Sequence, residues 1–407
     1  MDVQLYPHQQ TGVEFLVARR RAYLADEMGL GKTVQSLTAA RSIRAERILV
    51  IAPASTLPNW KAEAHIWGAP DWHFEAISYA DRRLRDGTLK GVDYDIVIVD
   101  EAHYIKNRKA KRTKNVLRVC GEAPRAWLLS GTPMPNHAGE LWTIFDGLWP
   151  GKLEPHTRTF TKWLQYFCRY TMTQYGPRVY GHQNATELKG LLRDIMLRRK
   201  LDDVGLDLPP LRVTLHRLPK MDNWELSQDD KDTLTSLQHE EGRDDPSLSR
   251  IRRLLGTMKA PAVAHQLTHE LADKQYDKIV VLYYHTSVGD ILEEKLSGYD
   301  LVRMDGSSTP RQRQEAVQNF REGSARVFLG QQVSAGTGLN LQEASEIVLV
   351  EPAWTPDENR QAIKRIHRIG QETPCRARIF AVSGTLDEAV MKTVALKTQL
   401  QTTVGLN

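Results

Sequence analysis

Short, continuous apolar runs recur along the chain, each closed by a turn or helix signal. Early in the sequence they are Arg47–Pro53, Asp95–Asp100 and Ala126–Ser130, and after a long gap Lys278–Tyr284, Ala325–Leu329, Glu346–Val350 and Arg376–Val382. Successive positions are apolar, not alternate ones, which fits strands covered on both faces by helices. Helical segments lie between them, Arg311–Arg321 and Asp357–Ile369 among them. Strand–helix alternation predicts an α/β fold with parallel sheets.

The pattern stops between about Gly151 and Asp277. That stretch is aromatic and basic, then broken by Pro209-Pro210, then acidic, then helical in character. The sequence therefore predicts an α/β lobe over 1–150, a helical connecting region over 151–270 and a second α/β lobe over 271–407. No fixed-period repeat or low-complexity tract is visible. No apolar stretch reaches the roughly 18 residues of a membrane span, and Met1–Phe15 lacks the basic-then-apolar pattern of a signal peptide.

Composition adds little until it is localised. The 407 residues carry a formal charge of +5, too mild to name a partner. Lys106–Arg118, however, holds seven basic residues and no acidic one, and Lys152–Arg212 holds eleven against six. Lys220–Asp245 has the opposite balance, nine acidic against three basic. Such asymmetry marks either a one-sided anion-binding surface or solvated helix faces. Trp163, Tyr166, Phe167 and Tyr170 interleave with the second basic stretch; they could stack on bases, but their helical spacing favours a core role. Cys120, Cys168 and Cys375 are too scattered for a disulfide framework or paired zinc motif and read as ordinary buried or semi-buried thiols of a reducing, intracellular compartment, cytoplasm or nucleoid, or the nucleus for a eukaryotic source. The modest chain length suggests a bacterial or virus-encoded protein.

Chemistry enters at Leu24–Thr33, where a short apolar piece leads into a Gly-containing loop and then a helix from about Lys32. Gly29 and Gly31 let backbone N–H groups approach phosphate oxygens closely, and a helix N-terminus adds a positive end. Lys32 is placed to reach β- and γ-phosphates and Thr33 to hold Mg²⁺. The generic pattern asks for Gly where this chain has Asp26. About seventy residues on, the Asp95–Asp100 strand ends in Asp100-Glu101-Ala102-His103. At the C-terminal edge of such a strand, carboxylates face the crevice where α/β sheets bind ligands. Asp100 is the candidate metal ligand and Glu101 the candidate base for the attacking water. Arg365 and Arg368 lie three apart, predicting one shared helix face; an arginine aimed at a γ-phosphate stabilises transition-state charge.

Asp26–Thr33, the Asp-Glu-Ala-His box and His367-Arg-Ile-Gly-Gln371 together resemble the Swi/Snf-type ATPases of helicase superfamily two, whose phosphate loop also has Asp at this first position. Further segments are similar in order, from about residue 5 to residue 400. Leu5–Gly12 resembles the adenine-recognising motif, with Gln9 as its glutamine, and Ala52–Trp60 resembles motif Ia. Ser130–Asn136 resembles the motif that couples hydrolysis to DNA. Met304–Ser308 and Ser334–Leu341 resemble strand-contacting motifs of the second lobe, and Met196–Lys200 with Leu208–Leu211 resembles a lobe-linking segment. Gly256–Val263 is similar to the HARP-like branch, which includes annealing helicases. Lys364 departs from the pattern, many relatives having an acidic residue there.

The resemblance implies two RecA-like lobes that hydrolyse ATP with Mg²⁺, the site closing when the lobes meet, and a monomeric motor moving along double-stranded or branched DNA in replication, repair or recombination. It implies ATP contacts from Gln9, Gly29, Gly31, Lys32, Thr33 and Gly338, and coupling roles for Ser130, Thr132 and Gln361. Ser55, Asn59, Trp60, Ser307, Ser308, Gly336 and Thr337 become candidate DNA contacts, with the two basic stretches extending the surface. The acidic box alone also admits an RNA-acting helicase, but the Met-Gly-Leu-Gly loop and the His-Arg-Ile-Gly-Gln segment favour the DNA group. A non-catalytic nucleic-acid-binding scaffold is disfavoured by the presence of Lys32, Glu101, Arg365 and Arg368.

Overall fold

A computed structural model describes residues 4–68, 71–134, 136–173, 176–205, 208–219, 246–332, 339–353 and 356–383, with 385, 387, 388, 390, 391 and 394. The chain divides into two compact units, Met1–Leu206 and Asp207–Leu396. The stretch read from sequence as a separate connector, 151–270, is shared out between them.

The first unit holds β1 (Arg21–Leu24), β2 (Arg47–Ala52), β3 (His73–Ser78), β4 (Ile96–Asp100), β5 (Arg125–Leu129), β6 (Cys168–Thr173), β7 (Gly176–His182) and β8 (Met196–Leu197). Six form a sheet of order β3-β2-β4-β5-β1-β8, with every pairing parallel. The apolar runs alternate between its two faces. Ile48 and Val50 of β2 face one core with Leu24, Ile98 and Trp127. Leu49 and Ile51 face another with Val97, Val99 and Leu128. Helices α1 (Pro7–Val17), α2 (Lys32–Ser42) and α3 (Leu57–Trp67) supply residues to the first core. α4 (Arg82–Asp86), α5 (Lys111–Glu122), α6 (Trp142–Leu148), α7 (Phe160–Phe167) and α8 (Ala185–Ile195) supply the second.

Trp163 and Phe167 are fully buried in that second core, with Tyr166 and Tyr170 packed against it, as their spacing predicted. The stretch is not wholly helical: β6 and β7 pair as an antiparallel hairpin. All three cysteines are buried and free.

The second unit repeats the design. β9 (Leu211–Leu218), β10 (Ile279–Tyr283), β11 (Leu301–Met304), β12 (Val327–Gln331), β13 (Glu346–Leu349) and β14 (Cys375–Val382) form a parallel sheet of order β11-β12-β10-β13-β14-β9. Val280 and Leu282 face one core, Ile279, Val281 and Tyr283 the other. Its helices are α9 (Pro246–Ala272), α10 (Thr286–Leu296), α11 (Pro310–Glu322) and α12 (Pro356–Ile363). The Gly256–Val263 segment lies in α9. There the fully buried Lys259 Nζ donates to Asp387 Oδ2 (2.7 Å) and the Phe380 carbonyl (3.1 Å). Among the described residues no helix is long and apolar enough to cross a membrane.

Candidate nucleotide site and coupling residues

The loop after β1 is built for close backbone approach. Gly29 and Gly31 have φ of 91° and 76°, left-handed values that other residues adopt only at a cost. Gly31 caps α2, and a Cβ there would lie 2.4 Å from Gln9 Nε2. Gln9 is buried, its Oε1 accepting the Tyr6 N–H at 3.1 Å. Lys32 Nζ donates to the carbonyls of Asp26 (2.8 Å) and Glu27 (3.2 Å). Burial lowers its pKa, and the nearby charges of Glu101, Asp26 and Asp100 oppose that shift. Thr33 follows in the first turn of α2.

Asp26, the irregular position of the loop, is fully buried. Arg199 grips it with two nitrogens, Nε to Oδ1 at 3.0 Å and Nη2 to Oδ2 at 2.5 Å, and its backbone N–H donates to Oδ1 at 3.1 Å. Gln35 Nε2 completes the carboxylate at 3.2 Å. The same guanidinium donates to the His8 carbonyl and to Gln35 Oε1. Around it, β8 and the residues after it are zipped to the loop: Ala25 N–H donates to the Leu197 carbonyl, Glu27 N–H to the Arg199 carbonyl and Leu201 N–H to Glu27 Oε2. One arginine thus joins the glutamine segment, the phosphate loop, α2 and the Met196–Lys200 segment.

Asp100 closes β4. Its Oδ2 accepts the Trp60 indole N–H at 2.8 Å and its Oδ1 the Glu101 backbone N–H at 3.0 Å. Burial and the adjacent Glu101 charge push its pKa up to about 6. Glu101 has φ of 50°, a left-handed conformation costing about 1–3 kcal/mol in a non-glycine residue. Tyr79 steadies this corner by donating to the Asp100 carbonyl at 2.6 Å. His103 Nδ1 lies 3.3 Å from Glu101 Oε2 and 3.1 Å from both Ser130 Oγ and Thr132 Oγ1. Ser130 and Thr132 are buried, so the candidate base and coupling hydroxyls meet at one imidazole.

Trp60, a candidate DNA contact by sequence, is 1% exposed, and its indole N–H is engaged by Asp100, so its side chain holds the acidic corner. Asn59, one residue earlier in α3, is exposed, and Ser55 is partly so. In the second unit, the predicted helix through Ile369 ends at Ile363. Successive i→i+3 bonds follow, Arg365 N–H to the Ala362 carbonyl and Ile366 N–H to the Ile363 carbonyl. The chain turns out because the Arg365 carbonyl accepts the Leu341 N–H. The Gln371 amide takes the carbonyls of Ile366, Gln342 and Ala344 at 2.9–3.0 Å, and Gly370 reverses the backbone at φ 96°. Arg365 and Arg368 still converge, each donating an Nη1 to the Leu339 carbonyl at 3.4 Å.

Gln361 lies in the last turn of α12, partly buried. Lys364 Nζ approaches His367 Nδ1 at 3.3 Å, while His367 Nε2 bonds the Pro209 carbonyl at 2.8 Å. Ser307 is exposed and Ser308 partly buried, both organised by Asp305, whose Oδ1 accepts the Ser307 hydroxyl at 2.6 Å. Gly336, Thr337 and Gly338 lie outside the described residues.

Residues 8–82 and 71–231 match the SNF2-related domain, together more than half of the chain. This chain belongs to the SNF2-related family. Residues 262–370 match the helicase conserved C-terminal domain. A similar curated protein is the DNA annealing helicase and endonuclease ZRANB3 of Mus musculus, 29% identical over 98% of this chain and 40% of that protein. Another is the SWI/SNF-related matrix-associated actin-dependent regulator of chromatin subfamily A-like protein 1 homolog of Caenorhabditis elegans, 29% identical over 99% of this chain and 62% of that protein. This SNF2-related chain therefore spans less than two thirds of the length of these relatives. A solved Sulfolobus solfataricus SWI2/SNF2 ATPase core in complex with dsDNA aligns over 100% of this chain and 94% of its own, at 22% identity and a TM-score of 0.43. The curated relatives named are animal proteins and lend no support to the bacterial or viral source read from length.

Sequence reasoning missed three residues of this SNF2-related site: Arg199 as the partner of Asp26, Trp60 as the holder of Asp100, and Tyr79. Only Asp26 carried a legible signal, since an acid in a phosphate loop needs a nearby cation.

Proposed function

We propose that this chain is an ATP-driven motor acting on double-stranded or branched DNA, using Mg²⁺ as its metal cofactor. The observation that carries the reading is the grouping in one unit of a left-handed glycine loop, Lys32 and the Asp100–Glu101 corner, with His103 linking that corner to Ser130 and Thr132. The names of its relatives, an annealing helicase and a chromatin regulator, support the nucleic-acid partner.

The residues fit ATP and Mg²⁺. The absence of a side chain at Gly31 gives the Gln9 amide room against the loop, which sets the candidate adenine-recognising glutamine beside the phosphate loop. Thr33 and Asp100 offer hard oxygen ligands of the kind Mg²⁺ takes. When bound, the metal neutralises phosphate charge. Lys32 leaves its two carbonyls to pair with β- and γ-phosphate oxygens. Glu101 accepts a proton from the water whose oxygen bonds the γ-phosphorus, as the bond to the bridging oxygen breaks. Arg365 and Arg368 supply positive charge to the transferring group. His103 carries changes at Glu101 to Ser130 and Thr132. Ser55, Asn59, Ser307, Ser308, Gly336 and Thr337 serve as backbone contacts, since a motor must grip without reading sequence.

The test is ATP turnover with duplex DNA, forks, single strands and RNA as stimulants, with Lys32→Ala and Glu101→Gln as variants. Lys32→Ala abolishes turnover, and Glu101→Gln holds ATP without hydrolysing it. Wild-type turnover in Glu101→Gln removes Glu101 as the base; stimulation by RNA alone removes the DNA reading.

A further inference from the structure

The basic stretch Lys106–Arg118 is not uniform. Lys106 pairs with Glu140 (3.1 Å), Arg118 with Glu122 (2.5 Å), and Arg112 donates to the Tyr104 carbonyl (3.1 Å). Arg108, Lys109 and Lys114 instead line a cavity of about 300 Å³ beside the start of α5. Thr113 and Trp142 line it as well. Thr113, 1% exposed, has a buried hydroxyl with no hydrogen-bond partner among the described residues, and Trp142 has a buried indole N–H in the same condition. A buried donor without an acceptor costs about 1–3 kcal/mol and calls for an explanation. The start of α5 adds to the field, having no side-chain cap and no acidic residue in its first turn.

A tryptophan N–H and lysine and arginine cations can only donate. The wall therefore asks for a ligand rich in acceptors and negatively charged. Asp146, exposed and also lining the cavity, leaves three cations against one carboxylate. Arg108 is held in place over the Phe160 ring at 4.3 Å, and Phe160 meets the Trp142 ring edge-on at 5.7 Å. The cavity is thus braced by aromatic packing.

We propose that this cavity is a phosphate-binding site, in which the Thr113 hydroxyl and the Trp142 N–H donate to phosphate oxygens and Arg108, Lys109 and Lys114 balance their charge. The phosphate comes either from the DNA backbone, a source that rests on the motor reading above, or from a free phosphate ion.

Indole N–H spectra of the full chain labelled with ¹⁵N-tryptophan test this, with the Trp142 signal assigned by its loss in Trp142→Phe. Titration with inorganic phosphate shifts that signal, and Thr113→Val or Lys109→Gln/Lys114→Gln raises the midpoint at least tenfold. If the phosphate belongs to the track, a short duplex gives the same shift at much lower concentration. The double lysine variant then lowers the salt slope of duplex affinity by about 0.9 for each phosphate no longer neutralised. If duplex binds without moving the signal while phosphate moves it, the site takes a free ion. No shift with either probe, or midpoints unchanged in the variants, means the donors do not meet phosphate and overturns the proposal. A wild-type chain that binds no duplex sinks the motor reading, and the phosphate titration still judges the site.

Discussion

The two units hold their candidate site residues by different means. In the first, buried and half-buried side chains do it: Arg199 grips Asp26, Trp60 grips Asp100, and Gln9 fills the space at Gly31. In the second, Arg365 and Arg368 meet one carbonyl at 3.4 Å, in a segment shaped by backbone bonds and the Gln371 amide. That unit has buried ion pairs too, Lys259–Asp387 and Arg378–Glu270, both at 2.7 Å. Lys259 and Glu270 sit on α9, Arg378 on β14 and Asp387 just after it, and none is a candidate site residue. Buried charge fixes the phosphate loop in one unit and the scaffold in the other. The loop is held by those side-chain contacts, the arginine segment by its backbone bonds and the Gln371 amide.

The sharpest way to break this comparison is to remove one residue from each side. Arg368→Ala costs turnover roughly 10³–10⁵-fold, the usual worth of an arginine at a transferring phosphoryl group, and leaves the melting temperature nearly unchanged. Turnover and thermal unfolding of the same preparation check both halves. Arg199→Leu does the opposite in kind. It strands a fully buried carboxylate, a change that typically costs about 3–5 kcal/mol of stability. Denaturant unfolding reads it, and Arg199→Leu/Asp26→Leu recovers most of the loss. If Arg199→Leu unfolds no more easily than Arg368→Ala, the two units do not differ as described.

A smaller effect follows at Gln371. Gln371→Leu releases three carbonyls, two of them buried, from their shared amide, with loss of about 1–3 kcal/mol for groups left unsatisfied. Because that amide shapes the turn carrying Arg368, turnover falls as well, while ATP affinity holds. Equal losses of affinity and turnover would remove Gln371 as a positioning residue.

The same contrast explains what the sequence made legible. The strands at Arg47–Ala52 and Ile279–Tyr283 are apolar at successive positions because helices cover both faces, so the run itself announces the fold. The edge strands His73–Ser78 and Leu301–Met304 mix polar and apolar residues and carry no such signal. The phosphate loop and acidic box are contiguous in the chain and can be read locally. Arg199 and Trp60 act on Asp26 and Asp100 from 173 and 40 residues away, and pairings at that distance are set by sheet order, which no local pattern encodes. The stop at Ile363 was hidden for the same reason: Ile363, Ile366 and Ile369 keep a helical period, but a tertiary bond to Leu341 outcompetes the next turn.

The finest test concerns protons at the first unit's acidic corner. Asp100 has its pKa pushed up from 3.8 to about 6, chiefly by burial and then by the Glu101 charge, with the Trp60 N–H pulling the other way. The folded state therefore holds this proton more tightly than the unfolded chain, so the stability Asp100 contributes is fully present below pH 3.8 and lost as pH rises through about 6. Metal binding has the opposite need, because it requires the carboxylate. Affinity for ATP in the presence of Mg²⁺ is flat above about pH 6 and falls below it, by up to about tenfold per unit for one displaced proton. Trp60→Phe keeps the buried ring but removes the N–H that favours the charged form, so the acid limb moves to higher pH. Titrating ATP affinity with Mg²⁺ from acid to neutral pH in both proteins checks the direction. An acid limb that stays in place, or moves down, would show that Trp60 only fills space.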